Sequence, residues 1–151
     1  MTALLILANL FLAGILAGEE LVIRFGVRGP VARLAPQPNI ELRQGLIRTL
    51  RVLVPAIYFP TLAATLAVTL LGGAGPGLVP RLAALAALMV WLVATLGGTA
   101  PINQAVMGWD AEAPPEGWRG MIARWERLDS VRAAAATAAF ALLLISSGPT
   151  L

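Results

Sequence analysis

Four segments of the chain are apolar over the length that crosses a lipid bilayer. A membrane-spanning helix needs about 20 predominantly apolar residues. The segments run approximately over residues 3–27, 47–71, 82–106 and 131–147. This pattern predicts an all-α fold, a polytopic transmembrane four-helix bundle with helical cytoplasmic extensions, in which residues 1–151 form one integral membrane domain.

The connections between these segments are predicted to contain one tight turn and two helical extensions. Residues 72–77 read Gly-Gly-Ala-Gly-Pro-Gly and form the turn. Asn39 is typical of a helix N-cap, so the second helix is expected to begin there, before its apolar part. Between residues 118 and 128, apolar side chains recur at helical spacing, while Glu126 and three arginines fall on other faces. This stretch is either an interfacial amphipathic helix or an extension of the fourth span.

Composition agrees with a membrane protein and removes several kinds of chemistry. Hydrophobic residues make up 58% of the 151 residues and charged residues 13%, and the mean hydropathy is +0.81. A soluble domain of this size has too little interior to hide so much apolar surface. The chain has no cysteine and no histidine, which removes thiolate ligands, the commonest metal ligand and the usual base at neutral pH. We therefore expect no metal site.

All 11 basic residues are arginines, and they give the chain a net charge of +3. They flank the apolar segments and do not form one basic face, so nucleic acid is not an expected partner. Ten lie around the first and third connections, and only Arg81 lies on the other side. The positive-inside rule then predicts a plasma (inner) membrane protein with both arginine-rich loops cytoplasmic and both termini outside. In the alternative, the first segment is a cleaved signal peptide, but Met1-Thr2-Ala3 supplies no basic region before it.

Ionisable and amide side chains within the spans fall at one level of the predicted bundle. Glu19 and Glu20 lie about 25 Å along a helix that starts at Ala3, and Asn103 and Gln104 lie about 31 Å along the third span. Five more charged side chains lie near the same ends of the helices: Arg24, Arg48, Arg51, Asp129 and Arg132. All of these positions belong to the predicted cytoplasmic end.

This polar layer has two interpretations. Glu20 and Arg24 are separated by four residues and share a helix face, and a carboxylate in lipid is costly unless it is paired or lines a wet cavity. The layer is therefore either a network of structural salt bridges or a functional pocket near the cytoplasmic face. Pro101 frees a backbone carbonyl and is expected to kink the third helix just above Asn103, which favours the pocket.

Several short motifs resemble the anthrone oxygenases, a family of small four-span membrane proteins. The motifs are residues 12–20 (LAGILAGEE), Pro101-Ile102-Asn103, Arg124-Trp125 and Val131-Arg132. The resemblance implies a four-span bundle and, for the characterised members, oxidation of a polyketide anthrone to an anthraquinone by O₂ without a bound cofactor. Many members carry a histidine before the Val-Arg pair, where this chain has Asp129-Ser130.

In the enzymatic hypothesis, Glu19, Glu20 or Asp129 is the catalytic proton acceptor. The predicted substrate-binding residues are Arg24, Arg51, Asn103, Gln104, Trp125 and Arg132. Arginine stabilises the anion that forms, the amides orient it, and the tryptophan stacks on an aromatic ring.

Two other functions stay open at this point. A non-enzymatic membrane subunit or scaffold would use the polar layer as a structural lock. A transporter needs polar residues at several depths, and the predicted outer half has only Asn9 and weakly polar residues. The expected partners are the lipid bilayer and, for an oxygenase, a lipophilic aromatic molecule and O₂. The alanine-rich fourth helix also allows a homo-oligomer.

Overall fold

The computed structural model describes residues 3–148, and the regular structure in this range is helical. Four long helices run over Ala3–Ala32 (α1), Pro36–Leu71 (α2), Leu78–Met107 (α3) and Trp118–Ser147 (α4), and each is long and apolar enough to cross a membrane. The predicted all-α membrane bundle is therefore confirmed. The stretch that begins at residue 118 is an extension of the fourth span, because α4 is continuous through it.

The helices pack in a ring, with α1 and α3 each lying against both α2 and α4. Leu16, Leu88 and Leu143 fill its centre together with small residues of α4. Tyr58 stacks on Trp91 with 4.2 Å between ring centroids, and its hydroxyl donates to the carbonyl of Leu88 at 2.8 Å. This apolar core separates two ends: the arginine-rich end, which carries the connections 33–35 and 108–117, and the opposite end, which carries the connection 72–77.

Near the arginine-rich end, α3 changes from α-helical to π-helical geometry over Thr95–Thr99. Pro101 lies two residues beyond this segment and has no N–H to bond the carbonyl of Gly97. The hydroxyl of Thr95 donates to the carbonyl of Trp91 at 2.9 Å, so a side chain bonds a backbone carbonyl where the regular helical hydrogen bonds change. The helix is thus widened just before Asn103, where the sequence predicts a kink.

The first helix is interrupted in the same way, over Val22–Val27. A π-helical turn uses i→i+5 hydrogen bonds, so residues beyond Leu21 are rotated relative to an unbroken α-helix. The shared face expected for Glu20 and Arg24 therefore does not hold. No side chain of this segment is buried.

The second helix begins at Pro36 with Ala35 as its N-cap, so the prediction of Asn39 as the N-cap is wrong. Proline suits the first helical position because that N–H has no helical partner in any case. Asn39 lies one turn inside the helix, where its Nδ2 donates to the carbonyl of Val31 at 2.7 Å. Its Oδ1 accepts from Nε of Arg43 at 2.8 Å, which fixes the direction of that arginine.

At the opposite end, the turn over residues 72–77 is present as predicted. Arg81 follows it and is buried, with 5% of its surface exposed. Its Nε donates to the carbonyl of Gly77 at 2.9 Å, its Nη1 to that of Val68 at 2.9 Å and its Nη2 to that of Gly73 at 3.1 Å. The one arginine at this end therefore caps the C-terminus of α2.

Candidate functional site

A cavity of about 260 Å³ opens among the four helices at the arginine-rich end. This volume is close to the lower limit, about 300 Å³, of pockets that hold small organic ligands. Most of its wall is apolar, and polar side chains enter it from every helix. Six of the nine catalytic and substrate-binding residues predicted from the sequence line this one cavity: Glu19, Arg51, Asn103, Trp125, Asp129 and Arg132.

Glu20 lies behind the cavity wall and holds Arg132 in place. The glutamate is 1% exposed, and its Oε1 accepts from Nη2 of Arg132 at 2.5 Å and from Nε1 of Trp91 at 2.7 Å. The guanidinium of Arg132 also lies over the Trp91 ring, 4.6 Å from its centroid. A buried charge pair of this kind needs additional hydrogen bonds to offset desolvation, and Trp91 supplies one. The network joins α1, α3 and α4.

Two carboxylates of the cavity lack this kind of partner. Asp129, which is 2% exposed, leaves Oδ2 buried without a hydrogen-bond partner among residues 3–148, and Glu19 leaves Oε2 in the same condition. Nε of Arg132 is the other buried side-chain atom of this range without a partner. Buried polar atoms are nearly always bonded, so two open acceptors and one open donor around one cavity indicate room for a polar ligand or water.

Asn103 and Trp125 form a fixed polar pair at the side of the cavity. Oδ1 of Asn103 accepts from Nε1 of Trp125 at 2.8 Å, so the amide orients the indole. The guanidinium of Arg43 lies 5.4 Å from the centroid of the same ring. Two contacts therefore fix the Trp125 ring, which lines the cavity.

Arg24 and Gln104 do not line the cavity. Gln104 is exposed, because adjacent residues on a helix point about 100° apart and Asn103 takes the inward direction. Arg24 lies beside Phe25, with its guanidinium 5.4 Å from the ring centroid. The π-helical segment that contains it turns it away from Glu20, so the predicted pairing of Glu20 with Arg24 is wrong.

The sequence interpretation missed an ion cluster that closes the cavity toward the arginine-rich end. Glu126 is only 13% exposed in its side chain, and its two oxygens each lie 3.0 Å from a nitrogen of Arg28 or Arg43. The sequence places Glu126 off the apolar face of this helix, and the structure shows that its side chain is nevertheless largely buried against α1 and α2. Its position three residues before Asp129 could have indicated a shared inward face.

Trp91 is a second feature of the site that the sequence interpretation missed. Tryptophan in a membrane helix is enriched at the interfaces, and Trp91 lies near the middle of α3. This unusual depth is the signal that could have identified it as part of a buried polar network.

Among residues 3–148, no group of three or more acidic side chains is placed to hold a metal ion. The polar side chains that line the cavity carry carboxylates, guanidinium groups, one amide, two indoles and two threonine hydroxyls.

These features define a class of protein: a small polytopic membrane bundle with a ligand-sized polar cavity at one end. The model of the anthrone oxygenase family matches residues 46–142, and the chain belongs to that family. No curated protein matches the chain, and no solved structure does. Asp129 lies inside the matched range, whereas Glu19 lies outside it.

Proposed function

We propose that this protein is a cofactor-independent oxygenase that acts on a lipophilic aromatic substrate in the cavity at the arginine-rich end. The observation that carries the proposal is the pair of buried, unpartnered oxygens, Oδ2 of Asp129 and Oε2 of Glu19, at the wall of one cavity. A carboxylate oxygen with no donor is free to accept a proton from a bound molecule. Membership of the anthrone oxygenase family supports the same reaction class.

The proposed reaction begins with transfer of a proton from an activated CH₂ group of the substrate to a carboxylate. Asp129 is our first choice as acceptor, because it is the more deeply buried of the two and lies within the family match. The resulting carbanion reduces O₂ and forms a carbon–oxygen bond, which gives a hydroperoxide after protonation. Loss of water then leaves a carbonyl, so that CH₂ and O₂ become C=O and H₂O.

Arg51 is suited to stabilise the anion that forms on the substrate. The other three arginines on the cavity wall pair with carboxylates, Arg28 and Arg43 with Glu126 and Arg132 with Glu20. Arg51 makes no ion pair within residues 3–148. A cation without a partner beside a largely apolar space interacts strongly with charge that develops during the reaction.

The test is oxidation of emodin anthrone by membranes that contain the protein, followed by the absorbance of the quinone. We expect a rate above that of empty membranes, and a loss of about 10²- to 10⁴-fold in Asp129→Asn, the usual contribution of a positioned proton acceptor. Asp110→Asn is the matched control, because Asp110 is an exposed loop aspartate. A folded protein that oxidises emodin anthrone no faster than empty membranes contradicts the proposal.

A non-enzymatic membrane subunit is the second candidate, and the position of Glu20 favours it. The most deeply buried ion pair, between Glu20 and Arg132, joins three helices through Trp91, and Glu20 itself does not line the cavity. This candidate predicts no turnover, and it predicts that Asp129→Asn changes neither activity nor assembly.

A further inference from the structure

The cavity has one exposed edge, and that edge lies between α2 and α3. Among the lining residues, Asp129, Trp91 and Thr99 are buried, whereas Arg51, Leu96 and Ala100 are exposed. Leu96 has 64% of its surface exposed. Because the exposed lining residues belong to two neighbouring helices, the opening faces sideways from the bundle.

Fixed contacts close the cavity between α1 and α4 and toward the arginine-rich end. The bond between Glu20 and Arg132 joins α1 to α4, and Glu126 joins the ends of α1 and α2 to α4 through two arginines. Buried Val106 and Ile122 pack together beneath it. A ligand that approaches from water at the arginine-rich end therefore meets ion pairs and packed side chains.

The backbone of each helix beside the opening lacks regular α-helical hydrogen bonds near this level. The π-helical segment Thr95–Thr99 carries Leu96 and precedes Ala100. On α2, Pro55 has no N–H to bond the carbonyl of Arg51. Irregular backbone at membrane depth is tolerated where it lines a cavity, and residues of both features lie on the cavity wall.

The depth of the opening matches the border between lipid tails and headgroups. At 1.5 Å per residue, Arg51 lies about 30 Å along α2 from Leu71, which is the thickness of the hydrocarbon core of a bilayer. Arg51 is therefore at headgroup level, where arginine is stable in a membrane. Leu96 lies about 27 Å from Leu78 by the same rise and faces the tail region.

We propose that the ligand enters the cavity laterally from the membrane, between Leu96 and Ala100 of α3 and Arg51 and Pro55 of α2. The opening fits a flat lipophilic molecule with an acidic or hydroxyl group at one end, because apolar side chains border it on the tail side and a guanidinium on the headgroup side. The ligand class rests on the proposed function, whereas the lateral route is tested without any substrate.

The test uses a thiol inside the cavity. The chain has no cysteine, so Val54→Cys places a single thiol on the cavity wall, at a position that is 7% exposed. Arg51 lies one helical turn away, and a nearby cation favours the reactive thiolate. In liposomes, we expect at least tenfold faster labelling by N-phenylmaleimide, which dissolves in lipid, than by a charged methanethiosulfonate that stays in water, each rate being normalised to that of an exposed Asp110→Cys thiol.

Two further substitutions identify the opening. Ala100→Trp in the Val54→Cys protein is expected to slow labelling by N-phenylmaleimide at least tenfold. The matched control is Ala86→Trp, because Ala86 is exposed on the same helix and does not line the cavity. Leu96→Ala widens the opening and is expected to speed labelling, whereas Val93→Ala, at a 70% exposed position away from the cavity, leaves it unchanged.

The outcomes separate the two proposals. Equal normalised labelling by both reagents, no labelling by either, or equal effects of Ala100→Trp and Ala86→Trp would each overturn the lateral route. If lateral labelling occurs as expected but emodin anthrone is not oxidised, the route stands and the proposed reaction fails. Unchanged circular dichroism of each variant establishes that the labelling rates compare folded proteins.

Discussion

The two ends of the bundle both bury polar side chains, but they satisfy them differently. At the opposite end, Arg81 gives its guanidinium hydrogens to backbone carbonyls of the turn and of the end of α2. At the arginine-rich end, Asp129 and Glu19 each keep a buried oxygen without a donor in the part of the chain that the structure describes. One end is a closed hydrogen-bond network, and the other contains a cavity.

This difference shows that a buried charge in a membrane helix does not by itself indicate a functional site. Intramembrane ionisable residues are candidates for function, and Arg81 meets that description as well as Asp129 does. The two are distinguished by their hydrogen bonds, because a fully bonded group has no capacity left for a ligand. Arg132 combines both conditions, since its Nη2 binds Glu20 while its buried Nε has no hydrogen-bond partner in the described residues.

The largest effect on stability is expected for Glu20→Gln. This substitution removes the carboxylate that is hydrogen-bonded to the buried Arg132 guanidinium, and breaking a buried ion pair typically costs about 3–5 kcal/mol. Glu19→Gln is the matched comparison, because the Glu19 side chain makes no ion pair in residues 3–148. The free energy of unfolding, measured by denaturant titration in mild detergent, is expected to fall for Glu20→Gln and to stay nearly constant for Glu19→Gln.

The same pair of variants tests whether Glu20 positions Arg132 while Glu19 keeps an open oxygen at the cavity. If Glu20 positions Arg132, the loss of stability in Glu20→Gln accompanies weaker binding of emodin anthrone. Equal stability losses in the two variants would remove the distinction between a bonded and an open carboxylate.

A smaller loss of stability is expected for Arg81→Met at the opposite end. Methionine keeps much of the side-chain length but removes the guanidinium hydrogen bonds to the carbonyls of Val68 and Gly77. Each carbonyl keeps a backbone donor, from Gly72 and Arg81 respectively, so the expected cost is that of losing hydrogen bonds to a charged group, about 1.5–3 kcal/mol. The rate of anthrone oxidation per folded molecule is expected to stay unchanged, because Arg81 is far along the chain from every cavity residue of α2 and lies at the other end of α3. A loss of turnover without a loss of stability would contradict this assignment.

The packing of Arg81 also depends on a glycine in the turn. A Cβ on Gly72 would lie 1.3 Å from Nη1 of Arg81, so Gly72→Ala forces the guanidinium out of place. Gly75→Ala is the control, since a Cβ there meets nothing within 4 Å. We expect Gly72→Ala to reduce stability about as much as Arg81→Met does, and Gly75→Ala to have little effect.

The sequence was sufficient to predict the four helices and the level at which polar side chains gather. Spans are long apolar runs with a fixed rise per residue, so depth along a helix follows directly from residue number. That arithmetic placed Glu19, Asn103 and Asp129 at one level, where they line one cavity. The sequence also predicted that Arg81 lies at the opposite end, but it did not predict that the side chain is buried.

Direction around the helix axis was harder to predict than depth. The π-helical segment Val22–Val27 changes the rotation of α1, which is why Arg24 does not pair with Glu20. A π-helical segment of this kind leaves no clear pattern in the sequence. The partners of Glu126 come from α1 and α2, and contacts between distant segments cannot be read from spacing within one helix.

The smallest effect in this comparison is expected at the contact between Asn9 and Thr65. Oγ1 of Thr65 shares its hydrogen between Oδ1 of Asn9, at 2.9 Å, and the carbonyl of Thr61 in its own helix, at 2.8 Å, and both Thr65 and Asn9 are buried. Hydrogen bonds between membrane helices contribute about 0.6 kcal/mol on average and up to about 1.7 kcal/mol. Thr65→Val keeps the branched shape and removes the hydroxyl, so we expect a loss of stability within that range and no change in anthrone oxidation.

Thr69→Val separates this contact from the general cost of losing a hydroxyl. Thr69 is also buried, but its Oγ1 donates only to the carbonyl of Thr65 within its own helix. If bonds between helices hold the opposite end together, Thr65→Val lowers the free energy of unfolding more than Thr69→Val does in the same detergent titration. Equal losses would mean that Asn9 contributes little, and the closed network at this end would then rest on the contacts of Arg81 alone.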